Sequence, residues 1–431
     1  MPPKFVEDRR AAALDVYERE PVPTWRRSGF WTTTLRHLRL DELEAKRYDA
    51  LSERPEIVAN DDLAALIVQK GASVVYTEVN DERITLTSLE EAAEQQPELV
   101  EKYWGTRVNP GEGKFPAATG AFWTGGAFLH VPRGVKVEKP VQIIWLIDEP
   151  GSAQYAQTLA IVDEMAECEI REYFLAPALR GDSSAIAARG EGQALHSGLF
   201  ELFVRPAANV RLAHFQDWGD EIDVYDISTR RVEIARDAHC SWVPIHLGGR
   251  LTKQTLDIVT AGQGADMRHT GLYITQGEEH LDLFTTDLHE AGNTTGDTVW
   301  KGALTGESRA SYEGLIHIVK GAQDTDTYLQ THSMLLSPRA KGDAIPSLIV
   351  ETDNVKASHG GTVGEIDEDQ VFYMMSRGIS RPEAVRILVE GYFEEVIQRL
   401  HDPVLEEIVR ERIAQKIAEA EEDVREYVAH R

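Results

Sequence analysis

The sequence predicts a mostly β protein with helical material at both ends, and three observations predict it. From about Phe122 to Val350, short β-branched and aromatic runs alternate with Gly, Ala, Asn and Asp clusters. Beyond Ser380 the apolar spacing turns helical and stays so. Before Phe122 the two patterns mix. No helical pattern separates the central runs, which argues against a doubly wound α/β sheet and leaves a sandwich or a β-helix. More than about two hundred strand-dominated residues favour the β-helix.

Taken in order, residues 1–115 read as an N-terminal mixed region. Ala13, Val16 and Tyr17 recur at helical spacing until Pro21-Val22-Pro23 ends the segment. Trp25, Phe30 and Trp31 supply anchors onto the body. Asp41 and Glu42, followed by Leu43, Tyr48 and Leu51, predict a further short helix. Ile67, Val68, Val74, Val75 and Tyr76 predict strands, and Ser88 with Glu91 has the spacing of a helix cap.

Residues 116–365 form the predicted β core. Its runs include Val141 to Ile147, Val210 to Phe215, Leu256 to Val259 and Leu315 to Val319. They are punctuated at Gly262-Gln263-Gly264, Ala291-Gly292-Asn293, Thr305-Gly306-Glu307 and Lys320-Gly321-Ala322. Residues 366–431 form a helical C-terminal domain. Ser380-Arg381-Pro382-Glu383 opens a helix whose apolar face runs through Val385, Leu388, Val389, Tyr392, Phe393, Val396, Ile397 and Leu400. Asp402-Pro403 starts a second helix carrying Leu405, Ile408, Val409, Ile413 and Ile417, with a charge-dense, fraying end at Glu419 to Arg425. A helix pair this small makes no core alone, so it packs on the β body, on a partner, or on both.

Composition excludes several function classes. A net charge of −27 over 431 residues repels phosphates, against a general nucleic-acid or anionic-membrane surface. Two cysteines, Cys168 and Cys240, make no disulfide framework and have no CxxC partner; a reducing, cytoplasmic setting and a role as small buried hydrophobes follow. The N-terminus lacks a signal-peptide core, and no apolar run is long enough to span a bilayer. GxxxxGK[ST], GxSxG and HExxH are missing, so ATP hydrolysis by this chain is not expected. His239, His246, His269, His280, His289, His317 and His332 invite a shared metal face, against ordinary core or surface histidines. Asp282, Asp287 and Glu290 invite the acid/base pair of a β-helix carbohydrate-active enzyme. His359, between Ser358 and Gly360-Gly361, is either a solvated turn residue or a ligand that glycines leave approachable.

Leu335-Leu336-Ser337, Pro346 to Val350, Val355 to Gly364, Asp367 to Gln370, Tyr373 and Ser376-Arg377-Gly378-Ile379 resemble the SufB/SufD family of iron–sulfur cluster assembly scaffolds. Ala384 and Gly391-Tyr392-Phe393 extend the likeness into the helices, and Phe128 to Pro132 with Pro140 to Ile143 extend it upstream. Ser358 to Gly364, Trp25-Arg26 and Leu38 to Leu43 resemble the SufD branch, and no cysteine follows Cys240 where a SufB chain carries its sulfur-receiving one. The resemblance implies a right-handed parallel β-helix ahead of the helical domain, and a non-catalytic scaffold with a SufB-like subunit as partner. It further implies a SufC-like ABC ATPase docked on the helical domain, through Tyr373, Arg377, Val385, Leu388, Tyr392, Phe393 and Val396, and a possible homodimer when the chain is alone. His359 falls on the histidine that the SufD branch offers to a transient iron–sulfur cluster shared with the partner, and reduced flavin is implied for some complexes. A cysteine common in that branch two residues earlier is Ala357 here, which leaves His359 as the one ligand candidate. A SufB-like paralogue is the alternative within the family.

Overall fold

The computed structural model describes residues 2–26, 32–55, 62–176, 192–219 and 221–419. Its centre is a parallel β-solenoid of two facing sheets. In chain order the first strands are β1 (Thr24–Arg26), β2 (Thr32–Thr34), β3 (Ala65–Lys70), β4 (Ser73–Val79), β5 (Thr85–Thr87), β6 (Ala127–Val131) and β7 (Val141–Leu146). The coils continue through β8 (Ala153–Val162), β9 (Glu167–Leu175), β10 (Gln193–Val204), β11 (Asn209–Asp217), β12 (Asp223–Ile234), β13 (His239–His246) and β14 (Leu251–Thr260). They end with β15 (Asp266–Thr275), β16 (His280–His289), β17 (Thr295–Leu304), β18 (Arg309–Ile318), β19 (Asp326–Leu335), β20 (Lys341–Val350) and β21 (Lys356–Glu365). From β6 on, even-numbered strands stack into a nine-stranded sheet closed by β5, and odd-numbered strands into a ten-stranded sheet closed by β3 and β4. Each coil therefore contributes one strand to each sheet, the arrangement of a solenoid and not of a sandwich.

Strand alternation fills the lumen. On β14, Leu256 and Ile258 point inward with Leu281 and Leu283 of β16 and Tyr312, Ile316 and Ile318 of β18, all in one core cluster. The corner after each even strand is turned by a residue in the left-handed region: Met165, Ala207, Asp237, Gly264, Asn293, Asp324 and Asn354. These corners stack. Asp237 donates its N–H to Gln263 O at 3.0 Å, Gly264 to Asn293 O at 3.1 Å and Asn293 to Gln323 O at 2.7 Å. Asn and Asp tolerate that conformation better than other side-chain-bearing residues, which is why they recur there. Inside the lumen a Cβ on Gly271 would lie 2.6 Å from the Trp300 ring, so that indole needs glycine beneath it.

The N-terminal region packs on the solenoid through helices α1 (Lys4–Arg19), α2 (Leu89–Gln95), α3 (Pro97–Tyr103) and α4 (Lys114–Phe122). Where short helices are expected, the described residues hold one long helix, α1, and then the short strands β1 and β2. Asp41 and Glu42 form a single 3-10 turn, and Tyr48 and Leu51 lie in non-helical chain. Tyr48 meets Glu149 instead, so tertiary contacts override a weak local preference. At the other end, α5 (Glu368–Ser376), α6 (Arg381–Ile397) and α7 (Pro403–Glu419) cover the outer face of the odd-numbered sheet. Ser380 caps α6 by accepting from the Glu383 N–H, with Pro382 in the first turn. The fraying expected beyond Glu419 falls outside the described residues.

Candidate functional site at the open end of the solenoid

Among the described residues no further coil lies over the last one. β20 and β21 are the terminal strands of their sheets, ten residues each, with one backbone edge unpaired. Long exposed edges are a liability that proteins usually blunt. Register shows what this edge presents. Leu348 and Val350 pair with Ile316 and Ile318, and Val363 with Ser333. Those partners face the lumen, so Leu348, Val350 and Val363 form the apolar mouth of the solenoid, 37%, 41% and 39% exposed.

His359 belongs to this mouth. Its register partner is Leu329, a fully buried lumen residue, so the imidazole stands on the lumen-facing side of the last coil. The residue is nevertheless exposed, and no group among the described residues hydrogen-bonds its ring. Gly360 and Gly361 follow it, and next to Gly361 lie Ala344, Pro346 and Thr331, so the wall there stays thin. Ala357 lies two residues before it on the same face. An accessible, unengaged imidazole is a fitting iron ligand, but one imidazole holds nothing by itself. Among the described residues no three His, Cys, Asp or Glu side chains are placed to hold a metal ion.

A second exposed feature lies on α5. Phe372, Tyr373 and Met375 are 72%, 60% and 44% exposed, while Val371 is buried. Arg377 donates to the Tyr373 hydroxyl at 3.2 Å and stacks over its ring. Arg381 grips Glu368 bidentately, 2.7 and 2.8 Å, fixing α5 against α6.

The structure separates the residues expected to form one docking face. Tyr373 and Arg377 are on the surface. Val385, Phe393 and Val396 are buried against the odd-numbered sheet, together with Val389. Leu388 and Tyr392 are half-buried in the same cluster, and the Tyr392 hydroxyl donates to His332 O at 2.6 Å. Their apolar period marks packing on the body, which amphipathicity alone cannot distinguish from a partner face. Phe372 and Met375 were missed because they break no pattern: only the placement of α5 exposes them.

The histidines expected to share a face are divided between two. His246, His269 and His289 point into the lumen, joined there by His196 and His214, while His239, His280, His317 and His332 are on outward positions. Four of the five lie among aromatic rings: Trp242 stacks on His269 at 4.9 Å, Trp300 on His246 at 5.9 Å, Phe174 on His214 at 4.5 Å, and His196 meets Phe174 edge-on at 5.2 Å, while His289 meets the Thr260 and Thr294 hydroxyls. Burial pushes His196, His246 and His269 down to about 3 and His289 to about 4, so they are neutral packing groups. A buried Arg230–Glu172 ion pair crosses the same lumen.

The three carboxylates of the carbohydrate-enzyme reading are also kept apart. Asp282 is outward and accepts from the Thr33 hydroxyl at 2.6 Å; Asp287 is inside and accepts from Thr298 at 2.7 Å. Glu290 lies in a corner, paired with Arg107. They make no acid/base pair across a groove. Cys168 and Cys240 are both buried on lumen positions, and burial raises both thiols, Cys240 to about 12, so neither is a ready thiolate.

Comparison with known proteins gives matches over most of the chain. Residues 145–392 match the family described as SUF system FeS cluster assembly, SufBD core domain, and residues 49–143 match the SufBD protein N-terminal region. The chain is similar to the iron-sulfur cluster assembly protein SufB of Bacillus subtilis, 26% identical over 92% of this chain and 86% of that protein. It is similar also to iron-sulfur cluster assembly SufBD family proteins of Staphylococcus haemolyticus, 28% identical over 92% and 86%, and of Staphylococcus saprophyticus, 29% over 78% and 71%.

Proposed function

The chain belongs to the SufBD family of SUF-system iron–sulfur cluster assembly proteins, and from that premise we propose that it is a SufD-like, non-catalytic scaffold subunit. It pairs end-on with a SufB-like chain through β20 and β21, and it docks a SufC-like ABC ATPase on the exposed face of α5. The carrying observation is the uncapped last coil, where an unengaged His359 stands within an apolar ring of Leu348, Val350 and Val363. Burying that ring needs a partner of the same shape, and a second solenoid end supplies one. The nascent cluster is cargo: His359 contributes one imidazole, and the partner contributes the remaining ligands. A mixed ligand set binds less firmly than four thiolates, which suits a cluster that has to be handed on. In the absence of the SufB-like chain a second copy of this chain takes its place, as a homodimer.

No helix among the described residues is long and apolar enough to cross a membrane, and a cytoplasmic assembly is part of the proposal. The matched descriptions name no flavin. The SufB-like reading has one observation in its favour, the Bacillus subtilis relative of that name. Against it stand two buried cysteines and none after Cys240.

Co-purification with the SufB-like and SufC-like proteins tests the proposal. Leu348→Glu should abolish capture of the SufB-like chain and spare the ATPase; Phe372→Glu should do the reverse. Point variants serve better than removing 380–431, because that deletion strips the cover from the odd-numbered sheet. Capture of neither protein by the unaltered chain would refute the scaffold assignment.

A further inference from the structure

The residues around β2 lie across the outer face of the nine-stranded sheet and close one side of a cleft of about 610 Å³. Arg36, His37, Arg250, His280, Arg309 and Tyr225 line it. We propose that this cleft binds a small phosphate-bearing anion, whose oxygens are held chiefly by the Arg36 and Arg309 guanidiniums.

Register explains why cations converge there. Tyr225, Leu251, His280, Arg309 and Lys341 are successive register partners on β12, β14, β16, β18 and β20, so they form one outward-facing rung. Arg309 thus has His280 on one side and Lys341 on the other. Arg309 and Lys341, like charges directly opposite on neighbouring strands, destabilise the sheet unless a counter-charge sits between them. Among the described residues few carboxylates are left for this, and Asp223 acts on Arg250. Glu278 lines the cleft but pairs with Arg250 at 3.0 Å, and Glu307 lines it but pairs with Arg339 at 3.5 Å. Arg36 donates to the His37 ring at 2.8 Å, and neither Arg36 nor Arg309 pairs with a carboxylate among the described residues. That concentration of positive charge is set in a chain whose net charge is −27.

Behind the lining, His280 is held by a buried network. The Thr33 hydroxyl donates to Asp282 at 2.6 Å and lies 3.3 Å from His280 Nε2, while Lys253 pairs with the buried Asp282. Burial, together with Arg309, Arg250 and Lys253 and against the pull of Asp282, holds the His280 imidazole below its ordinary pKa. Its lowered pKa makes it a weak contributor of charge, so the guanidiniums carry the attraction. Guanidinium forks match phosphate oxygens bidentately, Thr32 and Thr34 bring hydroxyls, and Leu251 with Tyr225 offers an apolar flank for an organic group. The volume is that of an ordinary small-ligand pocket.

Isothermal titration of the full chain with pyrophosphate and with ADP tests this directly. Saturable one-to-one binding of pyrophosphate is expected, weakened about tenfold by Arg309→Ala or Arg36→Ala and less by Arg309→Lys. Arg133→Ala, at a remote surface pair with Glu164, should leave it unchanged. Tighter binding of ADP marks a nucleotide as the source, and equal binding marks a free phosphate anion. Unaltered melting of the Arg309 and Arg36 variants establishes that lost binding is local. No saturable binding of either probe, or undiminished affinity in Arg309→Ala, would overturn the proposal. The cleft lies on the opposite sheet from His359, so this failure leaves the scaffold assignment standing.

Discussion

Acidification should destabilise this protein strongly, because five imidazoles inside the solenoid are neutral when it is folded. Burial drives His196, His246 and His269 to about 3, His289 to about 4 and His214 well below its ordinary 6.5. Unfolding restores the ordinary value, so the unfolded chain binds protons that the folded chain refuses. Stability from these groups is therefore complete above about pH 6.5 and is lost as pH falls toward the folded values. At about pH 5.5 each histidine favours unfolding by about 1 kcal/mol, roughly 5–7 kcal/mol for the five. Asp226 and Asp287 act the other way. Burial raises them to about 6 and about 7, so the folded chain takes up their protons first. Over the same interval they return about 3 kcal/mol together. These seven groups together cost about 3–4 kcal/mol between about pH 7.5 and about pH 5.5, and Glu201 and Asp257, which burial also raises, lessen the loss. Urea unfolding at both pH values, followed by the fluorescence of the buried Trp145, Trp218, Trp242 and Trp300, measures it. His269→Phe, replacing a ring stacked on Trp242, should reduce the pH dependence by about one proton's share. Equal stability at the two pH values, or an unchanged slope in that variant, would refute the neutral-lumen argument.

Three further outcomes follow from the same geometry. His359→Ala should lower cluster formation in the assembled complex while changing chain stability by less than about 0.5 kcal/mol, since the ring is exposed and unbonded; reconstitution monitored by visible absorbance checks it, and wild-type yield would remove the ligand role. Phe393→Ala should cost about 3–5 kcal/mol in urea unfolding, because that ring is wholly buried between α6 and the sheet. Phe372→Ala, at 72% exposure, should cost almost nothing in stability yet weaken ATPase capture, and the reverse result for either phenylalanine would invert the assignment of faces.

Period and punctuation in the sequence determined the architecture: strand-like runs between Gly, Asn and Asp corners from Phe122 onward, then capped helices after Ser380. The corners became a stacked column because Asp237, Asn293, Asp324 and Asn354 tolerate the left-handed turn each coil needs. The motif around Ser358 to Gly364 marked His359 and pointed to the family. Three things were decided only in three dimensions, and each for the same reason: a one-dimensional pattern shows that a face is apolar or charged, not what lies against it. The face of α6 turned out to be covered by the protein's own sheet, while Phe372 and Tyr373 on α5 were left bare. The histidines separated into a neutral lumen set and an outer set because strand alternation assigns neighbouring residues to opposite sides. Arg36 meets Arg309, far away in the chain, only because the segment around β2 folds back over the coils; no local spacing carries a juxtaposition of that kind.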